Sequence, residues 1–349
     1  MSAPVRIAVA GAGLIGRAHI QRIVASGDAR LASIVDPSPA ARALAAELGV
    51  PVHDSLEAAL VGSPLDGLVV ATPNALHVPY GLAAVEAGIP MLMEKPLSDD
   101  IAGGRRLVEA AERADVPVLV GHHHRHSPLI RRSREIVRSG ELGRITAVHA
   151  MCLFKKPDRG YFEGAGAWRR EPGGGVILIN LIHIVDDLRN LCGEIASVQA
   201  AEANAARQFP VEDTAAVILR FKSGALGTLL ISDSAASPWS WELTSGENKA
   251  YPQTDQACYF VAGSRGSISV PRLETWTHEG EDWWSPMRGA RVFAPEADPL
   301  TLQMAHFVQV VRREAAPVID AREGLRTLVA TLAVKEAAAS GGVIDVEPI

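Results

Sequence analysis

The stretch VRIAVAGAGLIGRAH, residues 5–19, decides the fold. Val5 to Ala10 form an apolar run that reads as a buried strand. GAGLIG follows, and residues 14–25 carry a helical pattern. A second apolar run, 31–35, then ends in Asp36. In this order each glycine has its own duty. Gly11 lets the chain turn tightly off a strand, Gly13 lets backbone approach a pyrophosphate, and Gly16 lets the helix lie close to the sheet. The backbone amides around Leu14 and Ile15 then meet the phosphates at the positive end of the helix dipole. A bare GxGxxG is weak. The strand before it, the helix after it and the acid closing the next strand make this one a dinucleotide-binding segment.

Outward from that stretch, strand-like runs recur at 67–71, 90–93 and 117–120. Helical patterns at 39–48, 56–60, 75–87 and 100–114 lie between them. Such alternation predicts a doubly wound parallel sheet with helices on both faces, a Rossmann domain over residues 1–121. Ligands bind these sheets at the carboxyl ends of the strands. The segments to read for chemistry are therefore Gly11 to Gly16, Asp36, Thr72–Pro73–Asn74, Glu94–Lys95–Pro96 and Gly121 to Arg125. The Lys95–Pro96 bond is a candidate cis peptide.

After His126 the rhythm changes. A helix over 128–139 leads to a strand over 145–153, and GGG at 173–175 precedes an apolar helix running to about Leu191. Runs of strand character follow at 197–203, 214–221, 225–233, 257–262 and 266–270. The short turn Lys222 to Gly224 reads as a hairpin, and hairpin-linked strands imply antiparallel pairing. Helices at 299–314 and 321–340 end the chain. Residues 122–349 thus read as an α+β domain with a large, mostly antiparallel open sheet for substrate binding and oligomerisation. An apolar open face needs cover, which points to a homo-dimer or homo-tetramer formed through it.

The chain has 349 residues, enough for two domains with sizeable cores, and 48% of them are hydrophobic. A net charge of -6 argues against general affinity for nucleic acid. Cys152, Cys192 and Cys258 are few, odd in number and far apart, which argues against a disulfide framework or a zinc site. No apolar run is long enough to span a bilayer. The chain enters its first strand almost at once, so a reducing cytoplasm is the expected location.

Asp36 has two readings. It caps the following helix through Pro37 and Ser38, or it accepts hydrogen bonds from the adenosine ribose diol, each worth about 1.5–3 kcal/mol. The second favours NAD over NADP, since no Arg or Lys follows directly to welcome a phosphate. The run HHHRH, 122–126, does not read as a metal site, because adjacent histidines on an extended segment point in alternate directions and no carboxylate or cysteine cluster joins them. Five of the six tryptophans fall between Trp239 and Trp284; the sixth, Trp168, precedes Arg169. That pair reads as a sugar-binding face with a cationic neighbour, or as packing at a sheet or subunit interface. Residues 237–256 read as a long loop, the kind of segment that carries specificity.

GAGLIGRAH (11–19), ATPNALH (71–77), MEKPLS (93–98) and GGGVILINLIHIVDDLR (173–189) together resemble the glucose–fructose oxidoreductase/inositol dehydrogenase (Gfo/Idh/MocA) family over nearly the whole length. The resemblance implies NAD(P)-dependent transfer of a hydride to or from the hydroxyl carbon of a sugar, sugar acid or cyclic polyol. It implies that Thr72, Pro73, Asn74, His77 and Glu94 frame the cofactor. It places Lys95 and His183 at the reacting hydroxyl. The family's frequent partner acid, four residues before the histidine, is here Ile179, with Asn180 beside it. Asn180, three residues before His183, is positioned to share its helix face. His183 is assigned the base role, since imidazole titrates near neutral pH, and Lys95 the polarising role, with the reverse open. The family has a segment lining the active-site mouth where His124 and Arg125 stand, so His124 joins Trp168, Arg169 and Asn180 as a substrate-binding candidate. Two other functions stay open: a carbonyl or C=C reductase on the same scaffold, which the missing acid keeps in play, and a non-catalytic nucleotide-binding regulator, which the presence of both Lys95 and His183 argues against.

Overall fold

A computed structural model describes residues 3–62, 64–280 and 282–349. It divides into two compact units. The first holds residues 1–126 and 299–328, the second residues 127–298 and 329–348.

In the first unit a parallel sheet is built from β1 (Val5–Ala10), β2 (Ala29–Val35), β3 (Val52–His53), β4 (Gly67–Val70), β5 (Met91–Met93) and β6 (Val118–Val120). Their order is β3-β2-β1-β4-β5-β6. The crossover helices are α1 (Leu14–Ala25), α2 (Pro39–Leu48), α3 (Leu56–Gly62), α4 (His77–Glu86) and α5 (Ile101–Ala114). The order reverses between β1 and β4, and this is the crevice where such sheets take ligands. Local chemistry sets the helix limits. Ser38 Oγ accepts from Ala41 N at the start of α2, Pro39 opens it, and Gly49 ends it at φ 66°. Asp100 accepts from Gly103 N at 2.6 Å to start α5. Strands β4, β5 and β6 are apolar and buried throughout, as is β1 apart from Arg6, as strands covered on both faces must be. β3 is absent from the sequence reading because two residues offer no period.

The second unit opens with α6 (Pro128–Arg138), capped by Ser127 Oγ, and β7 (Ile145–Leu153). The GGG turn leads into a π-helical turn over Ile177–Leu181 and then α7 (Ile182–Cys192). The remaining strands are β8 (Ile195–Ala203), β9 (Thr214–Phe221), β10 (Leu226–Ser232), β11 (Tyr259–Gly263), β12 (Gly266–Val270), β13 (Glu274–His278), β14 (Met287–Arg291) and β15 (Val343–Asp345). They form one nine-stranded sheet in the order β14-β13-β12-β11-β7-β10-β9-β8-β15. The Lys222–Gly224 hairpin joins β9 to β10 in antiparallel register, and among the described strands of this sheet only β7 and β10 pair in parallel. One sheet face packs on α6, α7 and residues 329–340 of α10 (Ala321–Ser340) around Val148, Ala150, Leu188, Val217, Leu229, Tyr259 and Val334. The other face stays open.

Three features depart from the sequence reading. β14 and β15 are the sheet's edge strands and β13 lies next to β14; their polar or very short sequences carry little strand signal. The segment 237–256 is not all loop: Ser240 Oγ accepts from Leu243 N and starts a short helix, α8 (Trp241–Thr244). Finally, a linear division at 121/122 is not how the contacts divide, because α9 (Pro299–Val311) and residues 321–328 return to the first unit. Phe307 of α9 is fully buried, and its ring lies 3.2 Å from where a Cβ on Gly67 would stand. Apolar packing on the parallel sheet thus reclaims a segment remote in sequence.

Candidate functional site

The first unit concentrates its candidates at the switch point. Gly11 has φ +90°, and a Cβ there would meet Ala71 O at 2.4 Å and Thr72 N at 2.9 Å. A Cβ on Gly16 would meet Gly11 O at 1.8 Å. Both glycines are therefore required by close backbone approach within the protein. Gly13 differs: a Cβ there would meet nothing within 4 Å. It is the N-cap of α1 and offers no side-chain cap, while Leu14 beside it is exposed. The first amides of α1, those of Leu14 and Ile15 among them, belong to a helix end that side chains leave unsatisfied.

Asp36, at the end of β2, holds this loop. Its Oδ2 accepts from Ala12 N at 2.8 Å and its Oδ1 from Ser38 N at 2.8 Å. Burial raises its pKa, but the hydrogen bonds from Ser38 and Ala12 and the charge of Arg17 outweigh that and hold the carboxyl below its ordinary range. Each oxygen keeps a lone pair for a further donor. Asp36 thus accepts from two loop amides and remains an anion beside the glycine turn, while the cap of α2 itself is Ser38. Across the crevice, Thr72 Oγ1 is buried without a hydrogen-bond partner among the described residues. Pro73 and Asn74 follow it into a short 3₁₀ turn over Asn74–Leu76. The open space at Gly13, the uncapped helix, the carboxylate of Asp36 and the orphaned Thr72 hydroxyl suit a dinucleotide such as NAD.

The EKP segment is built on buried pairs. Glu94 closes β5, and its Oε1 lies 2.7 Å from Nε2 of His19, a fully buried residue of α1. Burial raises the Glu94 carboxyl, yet the hydrogen bond and charge of His19, with Lys95, outweigh it and keep Glu94 ionised. A carboxylate only accepts, so His19 Nε2 carries the proton toward it. Glu94 Oε2 also accepts from Lys95 N at 3.2 Å. The Lys95–Pro96 bond is cis. His77 ties this turn to the Thr72 loop: Nδ1 lies 2.7 Å from Pro96 O and Nε2 3.0 Å from Thr72 O. Burial, only partly opposed by those carbonyls and by Glu94, holds His77 below the ordinary imidazole value. A neutral ring has one N–H, so it donates to one of the two oxygens at a time. Glu94 and His77 are thus engaged within the protein, and they act through the loops they hold. Lys95 itself is half-buried.

The histidine run forms a 3₁₀ turn, His123–His126, in which His124 and Arg125 are buried. The rings of His123 and His124 meet edge to face at 4.7 Å, and His126 Nε2 lies 2.9 Å from His306 Nδ1. Among the described residues no group of three or more His, Cys, Asp or Glu is placed to hold a metal ion.

In the second unit Asn180 and His183 are both half-buried on the helix after GGG. Gly175, at φ +82°, leaves no room for a Cβ beside Glu212, whose Oε1 accepts from Ile177 N at 2.9 Å. That carboxylate anchors the π-helical turn. The turn carries Asn180 away from regular 3.6-residue spacing, and the Asn180 amide reaches toward Glu242 Oε1 at 3.5 Å. Trp168 and Arg169 lie on a 3₁₀ turn, Gly164–Arg170. Trp168 is about half exposed, while the Arg169 guanidinium lies 4.3 Å over the Tyr161 ring and donates to Tyr161 O at 2.8 Å. Arg169 is therefore engaged with Tyr161 as well as adjoining Trp168.

Sequence reading missed His19, Tyr161 and Glu242. His19 lies inside the quoted GRAH segment, and its spacing on α1 is a usable signal. Tyr161 comes from an irregular segment and Glu242 from the one-turn helix α8, neither long enough to show a periodic pattern.

Two family models match the chain. One, described as an oxidoreductase family with an NAD-binding Rossmann fold, matches residues 5–122, and the other, the GFO/IDH/MocA C-terminal domain, matches residues 130–269. Inositol 2-dehydrogenase of Corynebacterium glutamicum is 35% identical over 155 residues, 43% of this chain and 46% of that protein, so the match spans about half of that relative's length. The 1,5-anhydro-D-fructose reductase of Ensifer adhaerens is 27% identical over 96% of this chain and 98% of its own. Among solved structures, the WlbA dehydrogenase of Bordetella pertussis, crystallised with NADH and UDP-GlcNAcA, superimposes with a TM-score of 0.79 at 27% identity, covering 99% of each chain. With an NAD-binding Rossmann unit and the matching C-terminal domain both in place, the chain belongs to the Gfo/Idh/MocA family of oxidoreductases.

Proposed function

We propose that this protein is an NAD-dependent dehydrogenase acting on a CH–OH group of a sugar, sugar acid or cyclic polyol. The observation that carries the reading is the EKP turn. A buried, ionised Glu94 locked to His19 fixes the backbone of Lys95 at the carboxyl end of the parallel sheet. NAD, when bound, accepts or returns the hydride. Gly13 with the first amides of α1 holds its pyrophosphate, and Asp36 holds its adenosine ribose. Lys95 binds the reacting hydroxyl and stabilises developing alkoxide as a cation. His183 takes the hydroxyl proton, and Asn180, Trp168, Arg169 and His124 complete the substrate contacts. The named activities of the inositol dehydrogenase and anhydrofructose reductase relatives support a polyhydroxy substrate, and the second of them supports carbonyl reduction as the alternative direction.

We extend the proposal to assembly and location. Ile218, Leu226, Leu230, Phe260 and Trp276 are exposed on strands of the open sheet, which supports a homo-dimer or homo-tetramer through that face. The three cysteines are free, and no described helix is long and apolar enough to cross a membrane, which supports a cytoplasmic home.

The test is NADH formation over a panel of sugars, sugar acids and cyclic polyols, with ketone reduction by NADH run in parallel. A positioned acid–base group is worth about 100- to 10,000-fold, so Lys95→Ala and His183→Ala should each lower kcat within that range while NADH still binds. Full turnover in either variant would remove that residue from the mechanism. NAD binding with no turnover in either direction would favour the regulator.

A further inference from the structure

Glu242 has no part in the roles assigned above, yet its position is unusual. It is the second residue of α8, and its Oε1 lies 3.5 Å from Asn180 Nδ2. Its Oε2 has no solvent access and no hydrogen-bond partner among the described residues. A buried carboxylate oxygen left without a donor is costly, and such an atom in a native structure points to a group that arrives from outside.

The surroundings describe that group. Phe154 and Tyr251 meet edge to face at 5.2 Å. Lys156 is 8% exposed, and its Nζ lies 4.1 Å from the Phe154 ring centre and 5.2 Å from that of Tyr161. Among the described residues the Lys156 ammonium has neither an ion pair nor a hydrogen bond; it rests on rings. Burial raises both the Tyr161 and Tyr251 phenols; at Tyr161 Arg169 opposes this while Asp233 and, after it, Glu242 add to it, and at Tyr251 the charge of Glu242 adds to it. The Lys156 ammonium thus rests on Phe154 and Tyr161, and the charge of Glu242 acts on the phenols of Tyr161 and Tyr251. Asn180 links Glu242 to the helix of His183, one turn further on.

A hydroxyl group suits both charges. It donates to a carboxylate and accepts from an ammonium, while ring C–H faces lie against aromatic side chains. A ligand carboxylate would instead stand beside the poorly solvated Glu242 Oε2, where like charges repel strongly. We infer that Glu242 is a specificity-determining residue: its Oε2 accepts a hydrogen bond from a substrate hydroxyl, Lys156 donates to another oxygen of the same molecule, and the site selects a neutral polyol or sugar over a sugar acid. The inference rests on the dehydrogenase reading and narrows its substrate class. It also places an acid beside Asn180 from a different element, where position 179 is an isoleucine.

The test titrates the full chain, with and without NADH, with myo-inositol and glucose as neutral probes and with gluconate and glucuronate as acidic ones, read by tryptophan fluorescence and thermal shift. The wild type should bind at least one neutral probe more tightly than either acid. A hydrogen bond to a charged group supports a loss of about tenfold or more, so Glu242→Gln should weaken neutral binding by that factor and shrink the neutral-to-acid ratio equally, with NADH affinity unchanged. Where turnover is measured, the change should fall on KM more than kcat. Lys156→Met should weaken neutral binding too, which keeps the inference testable if the first variant does not fold. Preference of the wild type for the acids, no neutral binding at all, or a Glu242→Gln ratio within about twofold of wild type would overturn it. Failure of NADH to bind would instead overturn the dehydrogenase reading, because the polyol arm is read without nucleotide as well.

Discussion

Asp36 and His77 illustrate how much one side chain decides. Asp36 accepts from Ala12 N and Ser38 N and remains anionic. Replacing it by Ala removes a charged acceptor worth about 1.5–3 kcal/mol, or roughly 10- to 100-fold in affinity. Asp36→Ala should therefore weaken NAD by that factor and relax the preference against NADP, as measured by the ratio of their kcat/KM values. An unchanged ratio would mean that the carboxylate serves the loop alone. His77 makes a prediction about acid. Its imidazole is held below the ordinary value of 6.5, chiefly by burial. Above pH 6.5 the ring is neutral in both folded and unfolded chains. Below it the unfolded chain binds the proton first, so stability falls as the pH drops through 6.5 toward the lower folded value. Thermal unfolding from pH 7.5 to pH 5 should show that decline in the wild type and less of it in His77→Gln; parallel curves would rule His77 out as its source.

At the scale of the element, β1, the glycine turn and α1 separate folding from binding. A Cβ at Gly16 would stand 1.8 Å from Gly11 O, closer than any adjustment of a side chain relieves. Overpacking of this kind costs about 3 kcal/mol or more, so Gly16→Ala should fold poorly or not at all. Gly13 faces open space. Gly13→Ala should keep the wild-type melting temperature while NADH binding weakens about tenfold or more, because the added methyl occupies the place of the approaching phosphate. Calorimetric melting and NADH titration of both variants check the contrast. Equal NADH affinity in Gly13→Ala would place the nucleotide elsewhere. The elements flanking this turn were legible: 5–10, 14–25 and 39–48 read from the sequence are β1, α1 and α2 residue for residue. The π-helical turn before α7 was not, because it depends on Gly175 making room for Glu212, a residue from another part of the unit.

For the molecule as a whole, the open face of the nine-stranded sheet is the feature that awaits explanation. Strand register aligns Ile218 with Thr228, Thr228 with His149 and His149 with Phe260, one row across four strands. His149 and Phe260 stack at 6.2 Å in that row. Ile218→Glu places a charge there without touching the buried face, so it should convert an oligomer to monomer at unchanged secondary structure. Light scattering coupled to size exclusion measures this; a monomeric wild type, or a variant of unaltered mass, would discard the sheet face as the interface.

By itself the sequence determined the parallel sheet, its glycine turn, the acid at the end of β2 and the hairpin-rich second half, because apolar period and glycine placement are local properties of the chain. It also carried the family through four short motifs. Only tertiary structure decided that His19 secures Glu94, that His77 spans two loops, that Phe307 brings α9 back onto Gly67, and that Glu242 reaches Asn180. Each of these joins residues from different loops or elements through burial and one or two hydrogen bonds or a ring contact. Such pairings leave no period to read, since their partners are chosen by where the packed chain places them.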